Sequence, residues 1–139
     1  MPASVYAGNA YLNHFLRGVT APDAPEQVFV ALHTEDPTLD GSSEVSTGAW
    51  PGYVRKDAAA GGALTTAFAA ADNKVTTNAK QLLWAGMNGP EDVTVTHFSL
   101  WTDSDGGALL HVGPLVAERT LRPTDEMVIH IGQLLIQVD

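Results

Sequence analysis

No cysteine occurs in this chain, so no disulfide can staple the fold and no thiolate can hold a metal. The redox compartment is left unmarked for the same reason. Basic residues are scarce: seven Lys and Arg stand against 16 Asp and Glu, a formal charge of −9. Only Arg55 and Lys56 place two cations side by side. A nucleic-acid face needs several cations gathered together, so nucleic acid is not an expected partner. The acidity reads as solubility. Long apolar runs are also missing, and nothing approaches the ~20 residues of a membrane helix. No membrane partner is expected. The opening MPASVYAGNAYLN has no basic region followed by an apolar core, so it does not read as a secretory leader. Synthesis and use without secretory export is the expectation.

What is present fits one folded domain over residues 1–139. The chain is 45% hydrophobic and 17% charged, which excludes disorder. An N-terminal arm and helix occupy residues 1–20, and a β domain occupies residues 26–139. The helix signal is the stripe Tyr11, Leu12, Phe15 and Leu16, repeating at the helical period. Arg17 sits where a cation suits the helix end, and Gly18 supplies a left-handed stop. So short a helix is marginal alone and must dock. Docking on its own domain is the first expectation, and docking on a neighbouring subunit is the sharper alternative. Pro22 and Pro25 then break residues 20–27 into a linker.

Short extended segments follow. Residues 28–33 (VFVALH) put Val28, Val30 and Leu32 on one face. Residues 53–58 form a second candidate, residues 63–69 a weak third, and residues 79–85 read as strand or a single helical turn. Residues 93–102 (VTVTHFSLWT) are the best strand, rich in β-branched and aromatic types. Their inward phase changes between Val95 and Phe98, which predicts a bulge or burial on both faces. Residues 109–112, 116–121 and 127–138 complete the set, the last broken at Gly132. Turn pairs such as Asp40-Gly41, Pro51-Gly52, Gly61-Gly62 and Asn88-Gly89 separate them. The fold class predicted is all-β: a jelly-roll-like sandwich or barrel with one short N-terminal helix.

Chemistry is hard to find. The histidines His14, His33, His97, His111 and His130 lie on separate elements with no HxH or HxxxH pair, so no metal site is expected. Asp36, Asp40 and Glu44 are too sparse for a calcium loop and read as turn formers, as does TDSDGG over residues 102–107. No G-x-S-x-G elbow, phosphate loop or dinucleotide fingerprint is present. No catalytic residue and no cofactor are assigned, and an enzyme is not expected. The aromatics Trp50, Tyr53, Trp84 and Trp101 read first as core. In the sharper alternative, Trp50 and Tyr53 flank Pro51-Gly52 as an exposed contact patch.

Taken in order, the segments YLNHFLRG, VFVALHTEDPT, G…EVS…GYVR, THFSLW and GGALLHVGPL resemble a family of small virion proteins of tailed bacteriophages. The resemblance spans about residues 11–115 and departs from the pattern at the Trp-Pro of AWPGY. It implies a structural role in the virion, made in the bacterial host cytoplasm and without catalysis. Members are labelled tail fibre or head decoration proteins. Between these, a cement protein on the capsid exterior is the leading expectation. An acidic compact unit without fibrous repeats suits the outside of a shell, with the major capsid protein as partner and a homotrimer as assembly. Contact residues expected are Tyr11, Leu12 and Phe15 of the arm, with Trp50, Tyr53 and Arg55. Charge reversal at Arg55 is expected to weaken assembly. The alternatives are a minor tail, tail fibre or baseplate protein touching the host, and a carbohydrate-binding module stacking sugars on Trp50, Trp84 and Trp101.

Overall fold

Ser4 starts the first element. In the computed structural model, which describes residues 3–138, its backbone is extended and its hydroxyl accepts the Ala7 N–H at 3.0 Å. That cap satisfies one of the orphan donors of helix α1 (Val5–Arg17). Gly18 ends the helix in the left-handed region at φ 67°, where a side chain would be strained, and sends its N–H to Asn13 O. The stop at Gly18 is where the sequence put it. The docking is not. No residue of α1 is buried, so the expectation that its stripe packs on its own domain is corrected. The helix is tied to the body at its N-terminal end: Ser4 N–H donates to Leu110 O at 2.9 Å, and Ala3 bridges His111.

The strands are short because turns interrupt them often. They are β1 (Phe29–His33), β2 (Lys56–Asp57), β3 (Val75–Thr77) and β4 (Leu82–Trp84). After these come β5 (Val93–Trp101), β6 (Leu109–Leu121), β7 (Met127–Ile129) and β8 (Leu135–Gln137). A four-stranded antiparallel sheet runs β2-β1-β5-β6, and two ribbons pair β3 with β8 and β4 with β7. Side chains from the sheet (Val30, Leu32, Val95, Phe98, Leu100) meet those from the ribbons (Trp84, Met127, Ile129, Ile136) in one apolar cluster. The architecture is an all-β sandwich with one short N-terminal helix. The barrel form of the expectation does not hold, because the sheet ends on β2 and β6 without closing.

β1 is buried from its second residue on: Val30 and Leu32 face the cluster, while Ala31 and His33 are buried on the opposite face. Pairing β1 with β5 satisfies one edge of its backbone. Beyond the short β2, the other edge is completed by Val45 N–H donating to Leu32 O at 2.9 Å and by Tyr53 Oη accepting from Leu32 N–H at 2.9 Å. The phase change expected in β5 is a bulge. Val95 opposes Arg119 and His97 opposes Pro114, so residues 115–118 of β6 bow out opposite Thr96 alone.

Three local expectations are corrected. Residues 63–69 form a 3-10 turn (Leu64–Thr66) rather than a strand, with only Phe68 bridging Asn78. Residues 53–58 hold only the two-residue β2. Residues 109–121 are one strand, because β6 is an edge and Pro114 costs no ladder bond on its open side. The ambiguous residues 79–85 contain strand β4. Among the described residues, no helix is long and apolar enough to cross a membrane.

Candidate functional site

Tyr53 and Arg55 stand two residues apart in extended chain, so their side chains project to the same side. Both reach Glu44, which the long loop after β1, residues 34–55, returns to the end of that strand through a bridge with His33. Tyr53 Oη–H donates to Glu44 Oε2 at 2.8 Å. Arg55 grips the same carboxylate twice, Nε to Oε2 at 3.1 Å and Nη2 to Oε1 at 2.9 Å. Its Nη1 donates to the carbonyls of Asp103 and Gly106 in the β5–β6 hairpin, at 3.1 and 2.8 Å. The guanidinium carbon lies 4.1 Å from the Trp101 ring centre. One arginine therefore fastens the long loop to the hairpin over 50 residues away in sequence by bidentate, stacked geometry that Lys cannot supply.

Burial alone would push the Glu44 carboxyl up, but the Arg55 and Tyr53 hydrogen bonds and the guanidinium charge outweigh it and hold it below the usual range. Tyr53 moves the other way: desolvation, reinforced by the Glu44 charge, raises its hydroxyl far above the ordinary value. The phenol stays protonated and donates.

Beneath this cluster runs a buried polar chain. Trp101 Nε1–H donates to Ser99 Oγ at 2.6 Å, and Ser99 Oγ lies 2.7 Å from His33 Nε2. His33 Nδ1 sits 2.8 Å from Ser42 O, which can only accept. The assignment that satisfies every atom is a neutral His33 protonated on Nδ1, with the Ser99 hydroxyl donating to Nε2. Desolvation keeps its pKa below the ordinary value, with the Ser42 hydrogen bond and the Glu44 charge opposing only in part. Gly41 fits here because its φ is 74° and a Cβ would stand 2.6 Å from Trp101 Cζ2.

The six residues expected at an interface divide sharply. Trp50 and Tyr53 are buried, at 1% and 7% exposure, so the exposed patch around Pro51-Gly52 is corrected to core. Arg55 keeps 10% of its side-chain exposure and is spent on contacts within the protomer. Tyr11, Leu12 and Phe15 are open to solvent, with Phe15 at 68% and neighbouring Leu16 at 74%. The sugar platform is also corrected. Trp50 and Trp84 are interior, with Trp84 Nε1–H donating to Val54 O at 2.8 Å, and Trp101 is covered by Arg55.

The acids of the long loop build turns. Asp36 accepts the Thr38 N–H, and Asp40 accepts the Thr38 hydroxyl and the Ser42 N–H. Those bonds, the Thr38 hydroxyl foremost, hold the Asp40 carboxyl below its usual pKa. Among the described residues, no three His, Asp or Glu side chains converge as a metal site. Sequence reasoning missed Glu44 and Trp101 as partners of Arg55, Ser99 as partner of His33, and Ser4 as helix cap. Only the last carried a local signal, a Ser opening the helix three residues before Ala7.

The geometry describes a folded body locked by internal polar ties and carrying one N-terminal helix with no buried residue. The class is a phage virion structural protein: a family model described as podophage GP4 fiber I protein gp80 matches residues 2–137, and the chain belongs to that family. No curated protein matches the chain.

Proposed function

We propose that this chain is a structural component of the podophage fibre, acting on the virion exterior through shape and surface rather than through catalysis. The observation that carries it is the match to a fiber protein family over residues 2–137, nearly the whole chain. The site supports the same reading. Arg55, Glu44, Tyr53 and His33 are engaged with one another or with backbone. The family's description shifts the weight from the capsid to the fibre.

Head decoration is the second reading, with the major capsid protein as partner. It is favoured by the formal charge of −9 and by a compact body without fibrous repeats. Copy number separates the two. A fibre component accompanies the portal end of the particle in few copies, whereas a cement protein follows the major capsid subunit in hundreds. Densitometry of purified virions against the major capsid band, with immunogold labelling of intact particles, is the test. Few copies and label at the tail are expected. Stoichiometry that tracks the capsid band, with label spread over the head and early loss of heat resistance in particles lacking the protein, would replace the fibre reading with decoration.

A further inference from the structure

We propose that α1 is a self-association element, its exposed seam packing against the α1 helices of further copies of this chain. The inference does not rest on the fibre reading; it stands on the helix itself. Val5 and Leu12 are seven residues apart, and Gly8 and Phe15 each follow three later. That is the a/d spacing of a helix seam, with Tyr11 and Leu16 flanking it at the adjoining positions. The apolar stripe is consequently wider than a two-helix seam requires. Homotypic packing of three helices, matching the expected trimer, fits that width.

The exposure is concentrated. Of 14 large apolar side chains exposed among the described residues, seven lie between Val5 and Val19. Neighbouring side chains of that kind form a patch of roughly a few hundred Å², the size that marks an interaction surface. Each of them keeps between 43% and 74% of its exposure, and no residue of α1 is buried. A helix of 13 residues gains little stability from propensity alone, so the seam needs an apolar partner.

Charge identifies the occupant as another copy. Residues 1–22 contain a single charged side chain, Arg17, so the remainder holds six cations against 16 acids, a net of −10. Copies meeting body to body would oppose those acidic surfaces, whereas copies meeting at α1 join the one segment that carries no acid. Identical seams also match in register by construction. Gly8 assists, since a Cβ built there would meet nothing within 4 Å and a neighbouring backbone can approach closely.

Sedimentation velocity on the full chain tests this. The wild type is expected to be a homo-oligomer that dissociates on dilution and persists in high salt, as an apolar contact should. Leu12→Asp and Phe15→Asp should each weaken association roughly a hundredfold or more by placing a carboxylate in the seam. Near-UV circular dichroism and the thermal midpoint of each variant should match monomeric wild type, because neither side chain is buried in the protomer. Val116→Asp, an equally exposed apolar residue on the β6 bow, should leave the oligomer intact. A wild type that is monomeric up to near-millimolar concentration would overturn the proposal. An oligomer that survives both helix variants, or dissolves in salt, would do the same. None of these outcomes depends on copy number or position on the particle.

Discussion

Arg55 holds Glu44 by two parallel hydrogen bonds, 2.9 and 3.1 Å long, while its guanidinium stacks on Trp101 and its remaining nitrogen donates to two hairpin carbonyls. The consequence is mechanical: the loop that follows β1 and the hairpin that joins β5 to β6 move as one.

Removing that arginine should loosen both segments. Glu44 retains 24% side-chain exposure, so the cost falls below the ~3–5 kcal/mol of a fully buried pair. Arg55→Ala is expected to destabilise the protomer by about 2 kcal/mol, and Arg55→Lys to recover less than half of it, since an ammonium cannot make the fork or the stack. Urea unfolding measures both. A loss under about 0.5 kcal/mol for Arg55→Ala would show the tie to be ornamental. Because Arg55 is turned inward, charge reversal there should appear first as lost protomer stability, with assembly following from it.

Tyr53→Phe isolates one oxygen. It keeps the ring that packs 5.7 Å from Trp50 and deletes the hydroxyl that accepts from Leu32 N–H and donates to Glu44. The Leu32 amide is then buried without an acceptor, a loss of about 1–3 kcal/mol. Amide hydrogen exchange should locate the effect: Leu32 is expected to exchange faster in the variant, with the β5–β6 ladder unchanged.

Acid should weaken the fold in two stages. Folded His33 resists protonation because it is desolvated, whereas in the unfolded chain it titrates near 6.5. Between those values the unfolded state binds the extra proton. Stability is therefore full above about pH 6.5, falls below it, and levels off once folded His33 is also protonated. Glu44 acts later: its folded pKa is depressed, so its contribution is present above the ordinary 4.5 and is lost as pH falls further through the folded value. Urea midpoints from pH 8 down to about 2.5 should show both falls. His33→Asn, which keeps an N–H donor for the Ser42 carbonyl but does not titrate, should flatten the upper stage and spare the lower. Identical slopes in variant and wild type would remove His33 as the cause.

The strands were legible where a local pattern fixed them. Residues 93–101 alternate β-branched and aromatic side chains, and the lapse in phase at Thr96 announced the bulge. Gly18 marked the end of α1 because a single residue carried that signal. The Ala63–Ala69 region misled because small apolar residues suit a strand and a 3-10 turn equally, and tertiary contacts decided it. The clustering of Glu44, Arg55, Trp101 and Ser99 had no sequence signal, since the ties from Arg55 to Glu44 and Gly106 and from His33 to Ser99 span 11, 51 and 66 residues and meet only through sheet register. The helix stripe was visible but its direction was not. Periodicity shows that a face is apolar without saying what covers it.

Gly41 offers the cleanest check that the long loop is held by shape as well as by charge. It ends the 3-10 turn (Thr38–Asp40) with φ at 74°, and its missing Cβ leaves room for the Trp101 ring. Gly41→Ala asks for two things at once: a left-handed backbone on a residue that disfavours it, costing about 1 kcal/mol, and retreat of an indole from a contact of 2.6 Å. The indole has little freedom to retreat, because Nε1–H is bonded to Ser99 and its face carries Arg55. A total loss of about 2–3 kcal/mol is expected, with a change in near-UV circular dichroism from Trp101. If the loop instead relaxes freely, Gly41→Ala and Gly41→Asn will be alike and nearly neutral. If the indole is the obstacle, Gly41→Asn will be worse than Gly41→Ala, although Asn tolerates the left-handed backbone better.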